Sequence, residues 1–290
     1  EIIMKALLCF FMLLTCTLSL QAQQTSSLNP DIGAVGNFNL NKSSGNELKS
    51  DLGEIELNLK AAVDPHSNAI LTIAFGEEGA EVEEGYLNIT ELPFELQAKV
   101  GRMRLSFNRI NQFHKDALPF NELPTYLSQH FSEAGLIKDG VEISYILPTS
   151  IYWEIKFGGY SGNVDTSFSD KQLLTSIKWR SFFDLGANGG IDFGASYLSG
   201  INNNGTTDNR YQTNITGVDL RVKKGIGLNK YLITTNEWLF GQHDTGTNKT
   251  TTTGSFHYLG FILDKQWQVG LGFNHSQSPT SLDTTNNHFY

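Results

Sequence analysis

The chain is poor in cysteine: its 290 residues include only Cys9 and Cys16, both in the apolar stretch at the N-terminus. Beyond that stretch no disulfide framework, cysteine-based zinc site or thiol nucleophile can be built. Positive charge is also scarce, with 21 Lys and Arg against 30 Asp and Glu and a formal net charge of −9. That balance argues against a nucleic-acid partner. No HExxH or CxxC spacing occurs. The seven histidines are scattered, and His243-Asp244 and His114/Asp116 are single pairs, where zinc needs three or four converging ligands. No metal and no cofactor are expected. An enzyme is not expected either. His130-Phe131-Ser132 has a base–nucleophile spacing but no strand to orient it, and Gln277, not a serine, shares the strand face of His275. After the N-terminus there is no apolar run of the ~20 residues that a membrane helix needs.

What the N-terminus does contain has the layout of a secretory signal. Met4-Lys5 precedes the apolar run 6–14, and Leu20-Gln21-Ala22 ends on a small residue before Gln23. These features predict a cleaved signal peptide over 4–22. Glu1, Ile2 and Ile3 would lie upstream of the natural start. A lipoprotein signal acylated at Cys16 is the competing reading, disfavoured by Thr15 where Gly, Ala or Ser is usual. The expected mature unit is 23–290.

The stretch GEIELNLKAAVDP, 53–65, sets Ile55, Leu57, Leu59, Ala61 and Val63 on alternate places, with Glu54, Glu56, Asn58 and Lys60 between them. Such a strand has one apolar and one charged face. Similar runs recur over 31–40, 67–76, 82–91, 94–104, 140–148, 151–161, 171–182, 190–199, 211–223, 230–242, 254–263 and 266–276. Most have the ~9–12 residues that a tilted strand needs to cross a bilayer, against ~5–6 for soluble sandwich strands. Short turns at 64–66, 91–93, 148–150, 184–189, 224–229 and 263–265 alternate with longer links at 41–52, 105–139, 162–170, 200–210, 243–253 and 277–285, and only the link 77–81 is shorter than its long-side neighbours. Tight periplasmic turns alternating with long extracellular loops mark a transmembrane up-and-down barrel. The expected fold is therefore an all-β, antiparallel transmembrane β-barrel with about thirteen strands present. Asn286–Tyr290 would begin a further returning strand. The chain would then be C-terminally truncated, from a barrel of about 14–18 strands closing on an even number.

With lipid outside, strand parity turns Glu54, Glu56, Lys60, Glu84, Glu95, Lys99, Glu142, Glu154, Lys156, Lys178, Arg180, Asp192, Asp219 and Arg221 toward the lumen. Acids and bases in comparable number suit a wetted pore with a transverse field. Parity is ambiguous over 231–242 and 254–263. Arg102 and Arg104 fall on the apolar face, so that strand should bulge or leave the bilayer. The link 105–139 far exceeds the ~12–15 residues at which a loop should be suspected of function. It carries Phe107, Ile110, Phe113, Leu118, Phe120, Leu123, Tyr126, Leu127 and Phe131, too apolar to extend into water. It is expected to fold inward as a constriction bearing Arg109, His114, Lys115, Asp116, Glu122, Glu133 and Lys138, with a short helix over 122–131. A lid over the outer mouth is the alternative.

On the segments NPDIGAVGNF, ELNLKAAVDPHSNAILTIAFGEEGAEVEEGYLNITELPFELQAKVGRMRLSFNRINQFHKDALPF and FSEAGLIKDGVEISYILP, residues 29–148, the chain resembles a family of Gram-negative outer-membrane porin-like barrels. Members of that family are sometimes labelled zinc-regulated TonB-dependent outer-membrane receptors. The layout is similar to that of phosphate-selective porins. The resemblance implies the outer membrane of a Gram-negative bacterium and passive diffusion of small hydrophilic solutes or ions, with outer-membrane lipid around the barrel and homo-oligomerisation open. A closed barrel acting as receptor, binding protein or scaffold is the other reading.

Overall fold

The computed structural model describes residues 30–41, 49–76, 79–120, 122–162, 165–186, 189–203, 210–263, 267–279 and 285–289. The signal-peptide expectation over 4–22 lies outside the described residues, as does Tyr290. The strands are β1 (Asp31–Asn41), β2 (Lys49–Asp64), β3 (Ser67–Gly76), β4 (Gly79–Leu92), β5 (Leu96–Arg104), β6 (Ile137–Ile146), β7 (Tyr152–Ser161), β8 (Leu174–Asp184), β9 (Gly189–Ile201), β10 (Gln212–Gly227), β11 (Lys230–Asp244), β12 (Lys249–Leu263), β13 (Trp267–Gln277) and β14 (Thr285–Phe289). All belong to one 14-stranded sheet in which neighbours in space are neighbours in sequence, and every pair is antiparallel, as in an up-and-down barrel wall. A single α-helix among the described residues, α1 (Thr125–His130), sits in the long β5–β6 connection.

Local chemistry sets the hairpins. Asp64 accepts the His66 N–H at 2.8 Å and the Ser67 hydroxyl at 2.6 Å, so Asp64-Pro65 closes β2 onto β3 as an Asx-type turn. At the β10–β11 hairpin Asn229 has φ 57°, a left-handed position that Asn tolerates better than other side chains.

The outer face is apolar and open. Phe157, Leu259, Val269 and Leu271 are each more than half exposed, at 56, 52, 63 and 72 %. A water-soluble sheet would cover such a face, whereas a transmembrane barrel wall leaves it to lipid. Trp153, Trp179 and Phe193 form a contiguous aromatic strip on it, with centroids 5.2 and 5.3 Å apart, which suits an interfacial girdle. Replacing Leu57, on the outer face, with arginine is expected to cost ~2–4 kcal/mol near mid-bilayer. Its neighbour Asn58 faces inward, where Thr72 donates to it at 2.8 Å, and Asn58→Arg should cost no more than about one hydrogen bond, ~1 kcal/mol. Urea unfolding of the two variants in vesicles separates them, and equal losses would contradict the lipid-facing assignment.

Several boundaries differ from the sequence expectation. The link expected over 243–253 shrinks to Thr245–Asn248, because β11 runs to Asp244 and β12 starts at Lys249. Its threonines are β-formers that extend the ladder. Glu95 is not on a strand: it is exposed in the 3-10 turn Pro93–Glu95 with φ 61°, which removes it from the barrel wall. Lys138 belongs to β6 rather than to the loop, and the helix expected over 122–131 is reduced to Thr125–His130, with Pro124 at its N-cap.

Candidate functional site: the inward loop and its wall

The site begins where the chain leaves the wall. Pairing of β4 with β5 stops at Gly85↔Arg102, while pairing of β5 with β6 continues to Arg104↔Ile137. On β4 the register slips between Thr72↔Glu84 and Ile73↔Val82. This bulge turns Glu83 as well as Glu84 toward the interior. The bulge expected around Arg102 and Arg104 thus lies on the neighbouring strand. Arg104, 5 % exposed, bonds Glu83 and the Ala134 carbonyl, each at 2.6 Å. Arg102 pairs with Asp139 at 2.9 Å.

The connection from Leu105 to Leu136 then folds over the inner face. Its base is closed by Leu105 N–H to Leu136 O at 3.0 Å. The buried Asn111 amide reinforces it, donating to both carbonyls and accepting the Leu136 N–H at 2.7 Å. Phe107, Tyr126, Leu127 and Phe131 are 0–1 % exposed and join one apolar core with Leu198, Ile215, Leu239, Phe256 and Tyr258 of β9–β12. Glycines on the wall make the seat. A Cβ at Gly254 would fall 2.6 Å from Tyr126 Cβ, and one at Gly217 would fall 2.7 Å from the Phe107 ring. Phe168, from the next link, stacks on Phe131 at 6.4 Å and fixes the loop's far side.

The central anchor is Glu237 of β11, fully buried. It accepts the backbone N–H of Arg109 at 2.9 Å and of Ile110 at 2.8 Å, and the Tyr126 hydroxyl. Burial, with the Glu237 carboxylate beside it, pushes the Tyr126 phenol well above its ordinary range, so it stays a donor at any physiological pH. Asn108, with φ 45°, receives support from Ser196 Oγ at 3.1 Å and the Trp238 carbonyl at 3.3 Å. His130 Nδ1 donates to the Tyr126 carbonyl at 2.9 Å, and its Nε2 lies 3.0 Å from Thr252 Oγ1. Its burial lowers its pKa to about 4, so it is a neutral wedge rather than a charge.

Two charged clusters flank this core. His114 Nδ1 lies 3.2 Å from Glu56 and 2.9 Å from Glu83, and Nε2 lies 2.9 Å from Glu84. Burial alone would lower the His114 pKa, but hydrogen bonds to the three carboxylates raise it to about 11. The folded-state pKa therefore exceeds the ordinary ~6.5. Its ion-pair contribution to loop docking is fully present below about pH 6.5 and is lost as the pH rises through about 11. The His114 ring carbons are expected to keep imidazolium NMR shifts at pH 9, and a midpoint near 6.5 would contradict the cluster. Glu56, Glu83 and His114 also set three ligand atoms within 4.8 Å of one another. The Arg104 guanidinium, 2.6 Å from Glu83, already supplies a cation there.

On the other side Asp192 takes Arg180 at 2.9 and 2.6 Å and Arg109 at 2.6 Å, with Arg221 facing the same group. Lys178 pairs with Asp219 at 2.5 Å. Of the remaining residues placed inside by parity, Glu142 accepts Ser106 and Tyr160, each at 2.9 Å. Lys156 lies 3.5 Å from Glu154 and 3.8 Å from Glu142. Lys115 reaches Glu54 at 3.9 Å. Lys99 covers the Tyr86 ring at 5.1 Å. Lys60 is exposed, Asp116 half-buried, and Glu122 and Glu133 exposed on the loop. Glu54, Glu56, Glu83, Glu84, Glu142 and Glu154 thus collect on β2–β7, while Lys178, Arg180 and Arg221 share β8–β10 with Asp192 and Asp219. Sequence parity missed Glu83, Glu237 and Arg104. It also missed Asp165, which holds the buried Lys138 at 2.7 Å.

No family model matches the chain. An uncharacterized protein of Aquifex aeolicus (strain VF5) is 31% identical over 255 residues, which is 77% of this chain and 54% of that protein. The chain spans about half the length of the curated relative it matches. Among solved structures, the outer membrane channel DcaP of Acinetobacter baumannii superposes with a TM-score of 0.50 at 11% identity, over 93% of this chain and 97% of that one. OmpT, an outer membrane protein of Vibrio cholerae, gives 0.46 at 11% identity over 90% and 97%. At this identity the likeness to DcaP is one of fold: the chain has the strand architecture of bacterial outer-membrane barrels.

Proposed function

We propose that the protein is a porin-like channel of the outer membrane, through which small hydrophilic solutes or ions diffuse past the inward loop. The observation that carries this reading is the placement of the loop. Its apolar residues pack onto β9–β12, while His114, Lys115 and Arg109 are held against lumenal carboxylates. A loop seated in this way narrows a passage and lays acids and bases across it, which sets a modest ion preference. It acts by selecting what passes. Lipid contacts the outer face, and assembly with further copies of the chain fits an outer-membrane channel. The tight packing of the loop core favours one rival, a closed barrel acting as receptor or scaffold. Liposome swelling separates them. Vesicles carrying the full-length protein should swell in small sugars such as arabinose and much more slowly in a tetrasaccharide. Vesicles that hold folded protein and do not swell in any sugar would rule the channel out.

A further inference from the structure

We infer that the cavity between the long loop and the β10–β13 wall is a binding site for an aromatic monocarboxylate. This goes beyond a channel for hydrophilic solutes, and it rests on that reading only for how the ligand arrives. The cavity holds about 300 Å³, the lower end of ligand pockets, which run ~300–1,000 Å³, and enough for one ring with a short substituent. The loop lines it with Phe113, Leu118 and Phe120, and the wall with Ile233, Phe256 and Tyr258. Phe120 meets Tyr258 edge to face at 5.4 Å, so the apolar end is aromatic on both sides. A flat ring can use the same offset and edge geometries there.

The polar end is cationic. Arg109 and Arg221 both border the cavity. Arg109 is already committed, with Nη1 on Asp192 at 2.6 Å and its guanidinium over the Phe113 ring at 5.3 Å. Arg180 takes both oxygens of the same carboxylate. Three guanidiniums therefore share one Asp, and Arg221 makes no hydrogen bond among the described residues. A half-buried arginine fork without an acceptor matches a carboxylate in two-point geometry. One free fork at one end accounts for a single carboxylate. Glu122, the only acid on the lining among the described residues and exposed at the loop surface, disfavours a second negative charge at the other end.

The test is equilibrium dialysis of the full-length protein in detergent with benzoate, acetate and benzyl alcohol. Benzoate should bind, while acetate, lacking the ring, and benzyl alcohol, lacking the charge, should bind about tenfold more weakly or not at all. Arg221→Gln should weaken benzoate binding about tenfold, Arg221→Lys less, because charge remains without the fork. Phe120→Ala should weaken benzoate and leave acetate unchanged. Lys249→Gln, a charge removed at the exposed start of β12, should change nothing. Equal binding of acetate and benzoate would overturn the proposal in favour of a plain anion path. Equal binding of benzyl alcohol would reduce the cavity to an apolar void, and undiminished binding by folded Arg221→Gln and Arg221→Lys would remove the arginine from the site. The assay needs no bilayer. Benzoate binding by a protein that does not conduct would leave the site standing and sink the channel, and the converse would do the opposite.

Discussion

Replacing Glu237 with alanine is expected to free the long loop while the barrel stays folded in the membrane. Glu237 is fully buried and is the acceptor for two backbone N–H groups and one phenol of the loop. Stranding a buried donor costs about 1–3 kcal/mol, and three are stranded at once, so the docked loop should lose on the order of 3 kcal/mol or more. The wall itself loses no ladder bond, because Glu237 meets Phe256 and Asp219 through its backbone. Trypsin cleavage at Arg109 and Lys115 in vesicles should rise sharply, while the folded barrel keeps its heat-modifiable mobility on gels. Cleavage as slow as in the wild type would mean that the apolar seat alone holds the loop.

Replacing residues 106–135 with a short Asn-Gly turn is expected to have the largest effect on passage. Leu105 and Leu136 already face each other across a 3.0 Å hydrogen bond, so β5 and β6 can be joined there without strain in the wall. Removing the loop takes Arg109, His114 and Lys115 out of the passage, and conductance should rise on the order of twofold or more with weaker charge selectivity. The same change wets Leu198, Ile215, Leu239, Phe256 and Tyr258, now buried beneath the loop. Stability should fall, at about 25 cal/mol per Å² of apolar surface uncovered. A shortened protein that inserts normally and conducts as before would place the loop outside the path.

The β2 alternation of Ile55, Leu57 and Leu59 against Glu54, Glu56 and Asn58 was enough to read the fold, because a strand with lipid on one side and water on the other must alternate. The burial of the loop's aromatics was legible too, and Phe107, Tyr126 and Phe131 lie in the apolar core. The β11–β12 region resisted for a physical reason. Its inner face carries Ile233, Leu239 and Phe256 to seat the loop, while its outer face carries Asn236 and His257, bonded to each other at 3.0 Å. The contrast on which parity depends is erased there. Glu83 was missed because a one-residue bulge leaves no mark in composition. Glu237 was missed because its partners Arg109 and Ile110 are 128 and 127 residues away. His114 was singled out as a loop charge, but its three carboxylate partners come from two strands, which only the register brings together.

The most direct test of the account is the current through the purified full-length protein in a planar lipid bilayer. A lumen narrowed by a docked loop predicts stable, discrete single-channel steps whose reversal potential in a salt gradient shows a modest ion preference. A protein that is folded and inserted, yet gives no steps at any voltage, would contradict it.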